Sequence, residues 1–185
     1  MVVFSKKPNF SIGFFKFMGR SADMSNTIGA NFRVEQAIFS LATNVDRCYL
    51  QCAWTYFATL GNVVVSDVYQ SAVLHMNENA YHNQMLWLGF TKPMLYQDLL
   101  NLSKVLEQQN KRQSFAKPHI TLDIDIIAIK TQQSIDTQKD EKNQDFIQLQ
   151  SNWYGIARRL PLADYDHVCY TDLCQKTPCC PNLLK

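Results

Sequence analysis

Thr121-Leu122-Asp123-Ile124-Asp125-Ile126-Ile127-Ala128-Ile129 alternates acids with aliphatic residues and then turns wholly apolar. Residues two apart on a strand project from one face. Asp123 and Asp125 therefore point together, about 6–7 Å apart at the usual rise per residue. Leu122, Ile124 and Ile126 take the opposite face and fix the strand in a core. Carboxylates on so apolar a strand are costly to desolvate unless something positive meets them. The spacing alone admits two readings: a seat for Mg2+, which takes hard oxygen ligands together with water and phosphate, or an edge strand whose wet face carries acids for solubility.

Upstream, residues 111–117 form a basic loop carrying Lys111, Arg112 and Lys117. Acids and cations at one end of a sheet suit a metal-bound polyphosphate, although any single lysine there reads equally as a solvated loop residue. The loop follows a predicted helix that Pro93 opens, with Leu95, Leu99, Leu102 and Leu106 on one face. Glu107, near its end, is placed either to orient a basic residue or to face solvent. Residues 81–90 read as a strand and 70–79 as a polar loop. Residues 63–69 are β-branched and aromatic, as a strand requires. Asn44 and Asp46 are N-cap candidates for a helix bearing Leu50, Ala53, Trp54, Phe57 and Leu60, with Gly61 as its stop. Residues 37–41 make a first buried strand. The order β-α-β-β-α-β predicts an α+β, ferredoxin-like sheet with helices on one face and a C-terminal extension.

Residues 1–30 lack sustained periodicity and read as a poorly ordered extension, within which Met24 could begin translation. One domain is expected over 31–175, with a polar insertion at 131–150 and a Cys- and Pro-containing tail at 176–185. A length of 185 residues fits a single domain. The chain is 46% hydrophobic and 18% charged, too apolar for disorder. A net charge of +2 argues against a protein that binds nucleic acid through bulk positive charge. No apolar run approaches the roughly 20 residues that cross a bilayer, and the Phe-rich start is broken by Lys6, Lys7, Pro8 and Lys16. A soluble, monomeric, cytoplasmic protein is expected. Its six cysteines are then free thiols: His167, Cys169, Cys174, Cys179 and Cys180 crowd the end without the C-x2-C spacing of zinc sites.

Tyr81 and Asn83 share a face at the start of the third strand, setting an aromatic ring beside an amide that can read a heterocycle edge. The plainer reading is an asparagine serving the turn.

With these motifs the chain resembles the 6-hydroxymethyl-7,8-dihydropterin pyrophosphokinases of folate biosynthesis. The resemblance runs from about Ala37 to Leu173 and rests on Ala42-Thr43-Asn44, Val68-Tyr69-Gln70-Ser71, Tyr81-His82-Asn83, Leu106-Glu107 with Arg112, the Thr121–Asp125 motif, and Pro161 through Asp164 with Tyr170 beyond. It implies transfer of the diphosphate of ATP to the pterin alcohol, with AMP released. Asp123 and Asp125 would hold two Mg2+ ions and Arg112 would stabilise the transferring group. Ser71, Tyr81, Asn83 and Tyr170 would bind the pterin. Glu107, Arg112, Lys117, His119 and Ile126 would contact ATP. The chain departs from the family where an arginine is replaced by Ile120, a histidine by Leu162 and a later arginine by Val168. Arg158, Arg159 and His167 are positioned to restore charge. The departures support a rival reading, a non-catalytic relative that binds a pterin or nucleotide; a transferase using another acceptor is a third.

Overall fold

Residues 33–43 are buried along most of their length, as a strand flanked on both edges and covered on both faces must be. A computed structural model describes residues 32–71, 80–111, 119–132, 135, 145–177 and 180–183. In it, β1 (Arg33–Thr43) lies between two long antiparallel neighbours, β4 (His82–Leu95) and β5 (Asp123–Thr131). The sheet order is β2-β4-β1-β5-β7-β6, with β2 (Gly61–Val65) and the two-residue β3 (Tyr69–Gln70) pairing β4, and β7 (Trp153–Ile156) joining β5 to β6 (Phe146–Gln148). Strands β1, β2, β4 and β5 with helices α1 (Cys48–Phe57) and α2 (Tyr96–Gln109) reproduce the predicted split arrangement, so the fold is α+β and ferredoxin-like.

Strand alternation sorts the core into two layers. Phe39, Leu41, Leu86, Leu88, Leu122, Ile124 and Ile126 meet Leu50, Ala53 and Phe57 of α1 and Leu99 and Leu106 of α2. Ile38, Met85, Ile127, Ala128 and Trp153 meet Cys169, Tyr170 and Leu173 of a third helix, α3 (Asp164–Lys176). Phe39 pairs with Ile126 but Ile38 with Ala128, so Ile127 is the extra residue of a bulge. The bulge lets adjacent Ile126 and Ile127 serve opposite layers.

Several boundaries differ from expectation. β1 begins at Arg33 rather than Ala37, because Val34 finds partners in both Met94 and Thr131. Gly61 does not stop α1; it opens β2, where a Cβ would stand 2.0 Å from the Gly89 carbonyl oxygen. Pro93 does not open α2. It lies in β4, where its carbonyl accepts a hydrogen bond from Arg33, and the helix begins at Tyr96. The polar stretch 131–150 includes β6, whose Phe146 is buried and packs edge-on against Phe32. α3, in the stretch expected only as a C-terminal extension, covers the second face of the sheet. Its buried residues, Cys169, Tyr170 and Leu173, make only a narrow apolar stripe. The expected extension at 1–30 lies outside the described residues.

Two tethers fix the start of β5. The Asn44 side chain accepts the Ile120 amide at 2.6 Å while the Asn44 amide donates to the Ile120 carbonyl at 3.0 Å. Glu107 is buried, accepts the Ile124 amide at 3.0 Å and pairs with Lys104 at 2.9 Å, so the solvent-facing reading fails. The N-cap of α1 is Arg47 and not Asn44 or Asp46, although the Asp46 carboxylate just before it accepts the Cys48 amide at 2.8 Å.

The Glu107→Ala change strands the buried Ile124 N–H and is expected to cost about 1–3 kcal/mol in denaturant melts, whereas Glu107→Gln, which keeps the acceptor oxygen, costs clearly less. Equal losses in the two variants would show that the tether is not what Glu107 supplies. Gly61→Ala forces a side chain into the β4 backbone and should destabilise by about 1–3 kcal/mol, lowering Tm by roughly 2–4 °C per kcal/mol; an unchanged melting curve would contradict the close approach.

Candidate active site

The register of the sheet sets the polar residues of the acid-bearing face in rows. Asp123 lies opposite Ala42, Ala42 opposite Asn83, and Asn83 opposite Tyr69. One step along, Asp125 lies opposite Ser40, and Ser40 opposite Met85. At the usual strand spacing Asp123 and Asn83 are two strands, about 10 Å, apart, with only the methyl group of Ala42 between their strands. The acids share this face because Leu122, Ile124 and Ile126 occupy the other one.

The same face receives the beginning of α3 and the turn before it. Ser40 donates to Asp166 at 2.6 Å, and Arg159 makes an ion pair with Asp125. Burial pushes the Asp125 carboxyl above the ordinary carboxylate range and the adjacent Asp123 pushes it further, while Arg159 offsets part of the rise. Asp166 is likewise raised, first by burial, against the lowering effects of the Ser40 hydrogen bond and of Arg159. Tyr165 is raised by burial and by the charges of Asp166 and Asp125.

The residues expected to form the site divide into three groups. Asp123, Asp125 and Asn83 fall on the rows described above. Ser71 and Tyr81 are half-buried beside them, the Ser71 amide donating to the Tyr81 carbonyl at 2.9 Å, and the Asn83 side chain donating to the same carbonyl at 3.4 Å. His119 is exposed just before the Asn44-bound Ile120. A second group lies elsewhere. Ile126 is a core residue of the α1/α2 layer, so its side chain is turned away from the acids. Tyr170 is 1% exposed, with its hydroxyl donated to the Pro181 carbonyl, and a ring so enclosed offers no free face for stacking. Glu107 acts on the backbone of β5 from the opposite layer. Finally, Arg112 and Lys117 lie outside the described residues.

Asp166, Ser40 and the Arg159 pairing were not among the predicted site residues. Asp164 and Asp166 in the first turn of α3 were a legible sign of a helix N-terminus, since acids are favoured there. Nothing in the sequence placed that helix over β1. Tyr69 also borders an open cleft of about 240 Å3 along α3, lined by His167, Val168, Thr171, Asp172 and Gln175 as well.

The donor set fits Mg2+ in a limited way. Two hard carboxylates project together and one of them, Asp125, already engages a cation, but no group of three or more His, Cys, Asp or Glu that could cage a metal occurs among the described residues. Mg2+ is commonly held by one or two carboxylates with water and substrate phosphates completing the octahedron, and that is the arrangement this pair allows. Among the described residues, Cys48, Cys52, Cys169, Cys174 and Cys180 are not joined in disulfides. No helix among the described residues is long and apolar enough to cross a membrane.

A family model for 7,8-dihydro-6-hydroxymethylpterin-pyrophosphokinase matches residues 27–159. The match takes in β1 through β7 and the acid pair, and it ends at the arginine that meets Asp125. No curated protein matches the chain. The match covers well over half of the sequence and encloses the strand order and the acid-bearing β5, and on those grounds the chain belongs to the 7,8-dihydro-6-hydroxymethylpterin-pyrophosphokinase family.

Proposed function

We propose that this chain transfers the diphosphate of ATP to 6-hydroxymethyl-7,8-dihydropterin, releasing AMP, as a monomer in a reducing cytoplasm. The observation that carries the reading is the pair Asp123 and Asp125 on one face of β5, in register across Ala42 and Ser40 with the polar end of β4. Membership of a family of ATP-dependent pterin diphosphokinases supplies the substrate class.

Asp123 and Asp125 would hold Mg2+, which supplies charge neutralisation and alignment for the phosphates when bound. The pterin hydroxyl oxygen attacks the β-phosphorus of ATP, the bond from that phosphorus to the α,β-bridging oxygen breaks, and AMP leaves with the electron pair. The hydroxyl proton passes to solvent water. Little covalent work falls to the protein, because positioning and electrostatics dominate this class of transfer. Asn83 would read the edge of the heterocycle and Tyr81 would flank its ring, with Ser71 beside them. Arg112, Lys117 and His119 are assigned to the phosphates. Asn44 holds the acid-bearing strand just before the motif and Glu107 holds it between the two acids, and both so act as positioning residues.

The burial of Tyr170 and the Arg159–Asp125 pair favour a second reading, a relative that binds a pterin or nucleotide without turnover. Calorimetry and product analysis separate the two.

AMP is expected from ATP only when both the pterin alcohol and Mg2+ are present, and binding without AMP would replace the first reading by the second. Asp123→Asn and Asp125→Asn should each slow AMP formation more than tenfold, a barrier increase of about 1.4 kcal/mol or more. Full turnover in both variants would reject the acid pair as the metal seat.

A further inference from the structure

β7 runs antiparallel to β5 with Trp153 opposite Lys130, Tyr154 opposite Ile129 and Gly155 opposite Ala128. Following that register past Ile156, the short 3-10 turn Ala157–Arg159 brings the chain level with the acid end of β5. Arg159 there makes its ion pair with Asp125. The Arg159 side chain is 39% exposed against 20% for Asp125, so the guanidinium is the partner with freedom to leave. Its charge is also felt by Asp166 and Tyr165 at the start of α3. A guanidinium is permanently charged and its fork matches phosphate as well as carboxylate.

We propose that Arg159 is a resident counter-ion of the acid pair, which competes with a divalent cation for Asp125 and, once displaced, turns its fork to the phosphates of the incoming nucleotide. The proposal rests on the acid pair being the metal seat. It extends that reading by giving the site an internal cation that must be released before metal is held. The protein on its own then binds a divalent ion poorly, because Asp125 is occupied. The metal and nucleotide together bind well, because the phosphates offer Arg159 a replacement partner. Loading of the site is thereby coupled to the presence of a polyphosphate.

Mn2+ serves as the probe, its free aquo ion followed by electron paramagnetic resonance in titrations of the whole chain. If the pair is closed about nine-tenths of the time, the apparent affinity for Mn2+ alone is reduced about tenfold. Arg159→Gln should therefore tighten Mn2+ binding by about that factor and, at saturating Mn2+, weaken binding of a non-hydrolysable ATP analogue several-fold. Adding Asp125→Asn to Arg159→Gln should abolish the gain. A thermal melt of each variant checks the fold, which a half-exposed side chain in a three-residue turn should hardly affect. Equal Mn2+ affinity in wild type and Arg159→Gln overturns the competition and leaves the acid pair standing as a metal seat. Tighter Mn2+ with undiminished analogue binding overturns the transfer of Arg159 to phosphate. Absence of Mn2+ binding in both proteins removes the metal seat and this proposal together.

Discussion

β5 has to satisfy two opposite environments within five residues. Leu122, Ile124 and Ile126 are fixed in the layer beneath α1 and α2, and the period of two in a strand then leaves Asp123 and Asp125 no choice but the other face. A one-residue slip would bury both carboxylates among leucines and expose three aliphatic side chains. The tethers act against such a slip. Asn44 grips Ile120 just before the motif and Glu107 grips Ile124 between the two acids. Glu107 is itself a buried acid, tolerable because it accepts a backbone N–H and meets Lys104. The acid pair is thus placed by groups that need never touch a ligand.

The acid face is in turn shaped by α3. This helix covers Ile38, Met85 and Ala128, but its N-terminal turn stops beside the acids, where Asp166 meets Ser40. Tyr170, which the resemblance assigned to the pterin, instead anchors the layer beneath Pro181. The covering element and the candidate site therefore compete for the same sheet face. Ala42, with little side chain above the sheet, stands in register between Asp123 and Asn83.

The β-α-β-β-α-β succession, both helices of the first layer and the shared face of Asp123 and Asp125 were legible because each depends on short-range periodicity. The failures have specific causes. Pro93 and Gly61 were read by their usual local roles, but tertiary pairing decided both: β4 continues through Pro93 to reach Arg33 and Val34, and Gly61 lies against the Gly89 backbone. α3 was missed because its buried face includes a cysteine and a tyrosine within an otherwise polar run. Ile126 was assigned to ATP although the alternation already turned its side chain away. The Arg159–Asp125 pair lay beyond sequence reasoning, since it depends on the register of β7 against β5 across 34 residues of chain.

That pair also changes what the acids can be taken to mean. Carboxylates on an apolar strand would seem to demand a metal, but one arginine provides a partner for Asp125 without any. Their mere presence is therefore a weaker argument for catalysis than the sequence suggests. The stronger argument is placement: the two acids share one face beside the polar end of β4, and with Arg159 in place burial, then Asp123, still hold the Asp125 carboxyl above its ordinary range. A divalent ion carrying phosphate would meet the acids from the same face while freeing the guanidinium for the anion that arrives with it.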